Sequence, residues 1–166
     1  MGALGFGKVK EGRGLSVVEL LAAIAIIGGI IAVFYSVFVT NWLAIEQYTV
    51  RTHLWEEVSR IMRRMTADGH AATAVQVTVV PATSKTVRFN DRAGNQIALY
   101  QIDNAGLIQR WGASGSPAEQ LSASADFVNS SLATSGRALQ VRLELEDLAL
   151  THLVEVASEN EIFPRN

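Results

Sequence analysis

Hydrophobic and polar positions divide the chain into three parts, each with its own period. Leu20 to Val39 is an apolar run of twenty residues without one charge. As a helix it would cover about 30 Å, the hydrocarbon thickness of a bilayer. From Thr40 to Ala67 there is neither Pro nor Gly, and Leu43, Val50, Leu54, Val58, Ile61 and Met65 recur at intervals of three, four or seven. That is one apolar stripe on a helix. The other side carries Glu46, Arg51, Glu56, Glu57, Arg60, Arg63 and Arg64, with Glu56 and Arg60 at the favourable i, i+4 spacing. Gly69 is the expected helix stop. The pattern therefore predicts one helix over residues 15–67, whose part 20–39 spans a membrane and whose second half lies on a sheet.

Beyond Gly69 the period falls to two. Val75, Val77 and Val79 alternate with Gln76 and Thr78; Val87 and Phe89 follow Pro81; then come Ile97 and Leu99, and after them Leu107, Gln109 and Trp111. These predict short strands. Asp91 to Asn95 and Asp103 to Gly106 supply turn chemistry between them, so an antiparallel meander is expected. Leu121, Ala123, Ala125 and Phe127 alternate weakly in one further strand. Leu139, Val141, Leu143 and Leu145 alternate cleanly with Gln140, Arg142, Glu144 and Glu146, and a last strand is expected around Leu153 to Ala157. The fold class is α+β: a long N-terminal helix packed on an antiparallel sheet, with residues 68–166 as a globular β domain.

Length and charge narrow the picture. At 166 residues there is room for one modest domain beside a long helix. The net charge is -2, but Lys8, Lys10 and Arg13 against Glu11 put +2 on the first fourteen residues and leave -4 on the rest. No basic patch remains there to favour nucleic acid as a partner. Cysteine is absent, which removes disulfides and thiolate metal sites.

Candidate chemistry is sparse, and no enzyme is expected. His53, His70 and His152 are far apart in the chain and read as surface or partly packed residues; no metal site and no cofactor is expected. Asp68 beside His70 falls at a helix end. Asp91, Asn95, Asp103 and Asn104 could offer oxygen ligands to calcium, but they match no calcium-loop pattern and read as turn formers. No nucleophile elbow, H-E-x-x-H or phosphate loop occurs.

The start of the chain is the most specific stretch. Residues 1–14 are glycine-rich and basic, and the apolar run behind them is longer than a secretory signal and has no small-residue cleavage site at its end. Basic residues precede the run and the next one after it is Arg51, so the positive-inside rule places the N-terminus in the cytoplasm and the chain beyond Val39 outside, with Trp42 and Tyr48 just past the outer edge. Inside the run Ala22, Ala23, Ala25, Gly28, Gly29 and Ala32 form a small-residue face suited to close helix approach. Glu19 stands at the inner edge, and ionisable groups in spans are rare and usually functional.

Gly14-Leu15-Ser16-Val17-Val18-Glu19 followed by this apolar run resembles the class III leader of type IV pilins and type II secretion pseudopilins. The resemblance implies that residues 1–14 are a leader, that prepilin peptidase cuts between Gly14 and Leu15, and that Leu15 is then N-methylated. It implies that Glu19 pairs with the N-terminal amine of a neighbouring subunit during assembly. The partners implied are prepilin peptidase, other pilin-like or pseudopilin subunits and an inner-membrane assembly platform. The location implied is the cytoplasmic membrane, single-pass, with the globular domain periplasmic or extracellular, and then a pilus or pseudopilus.

Two departures from the family stand out. The proline that loosens many pilin helices is replaced by Ser36, and the disulfide of many major pilins cannot form, which favours a minor pilin or pseudopilin. Within the family the order Tyr100, Gly106 to Arg110, Leu121 to Phe127 and Leu139 to Leu145 is similar to the J-type minor pseudopilins and W-type minor pilins. The alternative is a membrane-tethered extracytoplasmic binding or sensor module that does not polymerise.

Overall fold

The uncharged run and the amphipathic stretch behind it join into one helix, because nothing between them interrupts the backbone ladder. In the computed structural model, which describes residues 16–113, 117–136, 138–149 and 152–165, this helix is α1, Val17–Ala71. Gly14 and Leu15, and the whole of the expected leader over residues 1–14, lie outside the described residues. At Ser36, where the proline of the resembled family is missing, the helix runs on, and the Thr40 hydroxyl donates to the Ser36 carbonyl at 2.9 Å. The chain divides into two units, Met1–Trp42 and Leu43–Asn166.

In the first unit the large apolar side chains from Val17 to Phe38 are exposed. The helix is long and apolar enough to cross a membrane, and none of its most apolar window is buried against protein. Gly28 and Gly29 have no heavy atom within 4 Å of the place a Cβ would take, so the small-residue face is open.

In the second unit the predicted stripe is buried from Leu54 onward, and Leu43 at its start is half-buried. Leu54, Val58, Ile61 and Met65 are all but inaccessible, Met62 joins them, and Val50 packs at the margin. Gly69 has a different role from the expected stop. The helix passes through it to Ala71, and a Cβ on Gly69 would stand 2.3 Å from Ile162 Cγ2 and 3.3 Å from Phe89 Cε1. Glycine is needed there for close approach. The end of the helix comes where the Ala72 amide bonds back to Asp68 O and Gly69 O, and Thr73 N turns to Asn90 O at 2.9 Å, which starts the first strand.

The β domain holds two sheets where one was expected. The first is β1 Ala74–Val80, β2 Ser84–Asn90, β3 Gln96–Asp103, β4 Ile108–Trp111 and β5 Glu119–Ser122, antiparallel and in chain order, a meander. The second is β6 Ser131–Ser135, β7 Ala138–Ala149 and β8 His152–Ile162, also antiparallel. Alternation marks which face of a strand is buried but not which strand lies beside it, so one sheet and two give the same pattern. One apolar cluster draws on α1 and both sheets, with Phe89, Tyr100, Leu139, Leu143 and Leu145 among its members.

Two strand faces differ from the expectation. In β3 the buried side is Ala98, Tyr100 and Ile102, while Ile97 and Leu99 are half-buried opposite; in β4 Ile108 is buried and Leu107 precedes the strand. Both sides of β3 are apolar, so composition does not set its phase. The tyrosine does, because its hydroxyl has partners only inward. The expected strand Leu121 to Phe127 ends at Ser122, and only Ala125 beyond it makes a bridge, to Leu145. In β8 the free side chains are largely acidic: Glu155, Glu159 and Glu161 are exposed, and Glu155 sits directly opposite Glu146.

Gly69→Ala is expected to destabilise the β domain by about 1–3 kcal/mol through overpacking, against a gain of about 1 kcal/mol in helix propensity. Urea unfolding of the detergent-solubilised chain measures it. Pairing it with Ile162→Ala, which removes the obstructing methyl, should cost less than the sum of the two single changes.

Candidate functional site

The start of α1 is built by two side chains. Ser16 precedes the helix; its hydroxyl accepts from Val18 N at 3.3 Å, its carbonyl accepts from Leu20 N at 3.0 Å, and Glu19 Oε2 accepts from Ser16 N at 3.0 Å. This is a reciprocal capping box, Ser at the cap position and Glu three residues on. The sequence shows this S-x-x-E pattern openly. The carboxylate also lies in the first turn, where the helix dipole favours negative charge. Gly14 and Leu15, the expected cleavage and methylation positions, lie just outside the described residues.

A second polar centre lies where α1 meets the first sheet. Arg110 grips Asp68 with two bonds, Nε to Oδ2 at 2.9 Å and Nη2 to Oδ1 at 3.1 Å. The Tyr100 hydroxyl donates to Asp68 Oδ2 at 2.5 Å and receives Arg110 Nε at 3.2 Å. Tyr100 and Arg110 are direct cross-strand partners, which the β3–β4 register sets. The Arg110 and Asp68 side chains are 18% and 15% exposed, so the pair is largely out of water. Burial, then the bond to Asp68, push the Tyr100 phenol above its usual value, and the Asp68 carboxylate raises Arg110 further. Asp68 is therefore engaged by Arg110 and Tyr100, and His70 beside it is exposed. Sequence reasoning had Tyr100 and Arg110 only as members of a similar order of residues and missed Asp68 as their partner. The signal was two polar residues on facing strands with an acid at a helix end.

The loop after β5 is ordered by polar contacts from distant residues. Lys85 Nζ donates to the Phe127 carbonyl and, at 2.5 Å, to the Ser130 carbonyl, and lies 4.4 Å from the Phe127 ring centroid. Burial lowers the Lys85 pKa, and Asp126 opposes the shift. Asp126 accepts from Val128 N and Asn129 N, bonds that hold its carboxyl below the usual range. Asp91 and Asp103 likewise close their own turns, accepting from the amides of Ala93 and Asn95 and of Ala105 and Leu107. Among the described residues no three His, Asp or Glu side chains group as metal ligands.

Comparison with protein-family models, with curated proteins and with solved structures finds no match for the chain.

The raised Tyr100 pKa sets a pH dependence. A folded value above the unfolded one, near 10, keeps its contribution to stability whole below that pH and loses it as the pH rises beyond. In an alkaline absorbance titration one of the chain's three tyrosines should stay protonated well above pH 10 while the domain is folded. Tyr100→Phe should remove that late step.

Proposed function

We propose that the chain is a structural subunit, a minor pilin or pseudopilin, cleaved after Gly14 by prepilin peptidase, N-methylated at Leu15, and assembled through its N-terminal helix into a type IV pilus or type II secretion pseudopilus. One observation carries the reading: a carboxylate, Glu19, is fixed in the first turn of an exposed apolar helix that continues into an α+β chain. Capping and the helix dipole account for an acid in this turn, but a neutral glutamine would cap as well without the cost of a lone carboxylate at the lipid edge, so the charge itself calls for a partner. Its bond to Ser16 N leaves Glu19 Oε1 as an acceptor for an amine. In this reading the N-terminus faces the cytoplasm and the β domain the far side, and the chain waits in the cytoplasmic membrane for other pilin-like subunits and the assembly platform.

Intact mass and N-terminal sequencing of the membrane-purified chain, made with and without prepilin peptidase, test the first step. A chain that begins at Leu15 with one added methyl only when the peptidase is present is the expected result, and Gly14→Ala should leave the leader on. A chain beginning at Met1 in both would favour a tethered module that does not polymerise.

The role of Glu19 has its own test, co-purification of the chain with pilin-like partners. Glu19→Gln keeps an oxygen for the Ser16 amide but loses the charge, whereas Glu19→Val loses both. If charge recruits the subunit, both variants should lower co-purification by about tenfold, the factor that roughly 1.4 kcal/mol of lost pairing gives. If the cap alone matters, only Glu19→Val should.

A further inference from the structure

Where the edge of the first sheet meets the second, a cavity of about 550 Å³ is lined by Thr73, Arg92, Thr134, Gly136, Pro164 and Arg165, with three small apolar residues completing the wall. Four separate pieces of chain meet there: the entry to β1, the β2–β3 turn, the β6–β7 turn and the tail after β8. The tail is held in place by its backbone, since Arg165 N donates to Ala72 O at 2.9 Å and Ala72 is buried. Gly136 turns with φ +61 and has open space where a Cβ would stand, so the mouth is unobstructed on that side.

The charge in this cavity is one-sided. Among the described residues two guanidiniums line it and no acid does, in a chain with 16 acidic and 14 basic residues. Among the described residues neither guanidinium has an ion pair or hydrogen bond, and neither threonine hydroxyl has a protein partner. The acid closest in sequence, Asp91, is folded back into its own turn: Oδ1 accepts from Ala93 N and Asn95 N, and Oδ2 from Asn95 Nδ2. The larger cavity along α1 is a useful contrast, because there Glu56 and Glu57 stand with Arg60 and Arg63 and the wall neutralises itself. At the seam, two cationic forks and two hydroxyl donors line one space, and among the described residues none of the four side chains has an acceptor.

We propose that the seam cavity binds an oxyanion of the phosphate class, with Arg92 and Arg165 as the charged donors and Thr73 and Thr134 as neutral ones. Guanidinium forks suit oxygens of this kind because each can give two parallel bonds. An anion between the two arginines would also relieve their mutual repulsion. Free phosphate and the headgroup phosphate of an anionic lipid share this chemistry. The inference concerns the β domain alone and does not rest on the assembly reading.

The test uses the full chain in maltoside micelles at low salt, with calorimetric titration by inorganic phosphate in one arm and by short-chain phosphatidylglycerol in the other. Saturable binding is expected, weakened about tenfold by Arg92→Gln and by Arg165→Gln, which is about 1.4 kcal/mol each. Both arginines are exposed, so the variants should keep the wild-type unfolding midpoint. Binding of inorganic phosphate identifies a soluble ligand, and binding of the lipid alone identifies a headgroup; both support the site. Absence of saturable binding in both arms, or binding that neither variant weakens, overturns it.

Discussion

The β domain depends on one carboxylate near the end of a helix. Asp68 is the point at which α1 is fastened to the first sheet by direction as well as by apolar contact. Its two oxygens take the whole fork of Arg110, and Tyr100 closes the third side. Apolar packing of Leu54, Val58, Ile61 and Met65 drives the helix onto the sheets but is tolerant of rotation and sliding. A bidentate ion pair is not. It fixes the helix along its axis to within a fraction of a turn, and that alignment brings Gly69 against Ile162. Loss of one partner would leave the other charged and largely dry, a cost of about 3–5 kcal/mol for buried pairs, so helix position and strand register are coupled through this contact.

The two sheets are held together by a short irregular segment. Gly106, in a left-handed conformation, gives its carbonyl to Ala125 N at 2.9 Å, and a Cβ there would lie 2.8 Å from Ala125 O. On the other side Asp126 N bonds Glu144 O and Glu146 N bonds Ser124 O. The segment is thus a bracket between the β3–β4 turn and β7. Lys85 and Ser130 complete it, since the Ser130 hydroxyl, fully buried, both donates to Glu144 O and accepts from Glu144 N. Of the residues whose order is similar to J-type minor pseudopilins and W-type minor pilins, Tyr100, Gly106 to Arg110 and Leu121 to Phe127 fall in this clasp and this bracket, and Leu139 to Leu145 lie in β7. The spacing of the first three therefore has a physical reason in this chain.

Much of this was readable from the sequence and some was not. The apolar run, the stripe of α1 and the face of β7 follow from periodicity, because each has one strongly apolar side. The meander follows from the turn residues between its strands. The phase of β3 does not, since Ile97 and Leu99 compete with Ala98, Tyr100 and Ile102 on hydrophobicity, and only the polar partners of Tyr100 decide. Gly69 reads as a stop because the strand residue it meets, Ile162, is distant in sequence. The segment from Ala123 to Ser130 has little pattern because carbonyl and carboxylate bonds order it, and those leave no hydrophobic period. At the helix start the capping box was visible in Ser16 and Glu19, and the cavity at the seam was not, because its two arginines are brought together only by the fold.

The acidic edge of β8 has a consequence for how such a domain can coexist with many copies of itself. β8 ends its sheet, and a strand in that place can pair with a strand of another copy. Glu155, Glu159 and Glu161 answer that risk by repulsion, and the facing Glu146 and Glu155 make the hairpin itself slightly less stable than neutral residues would. The domain thus gives up a little of its own cohesion in exchange for resistance to sheet-to-sheet aggregation.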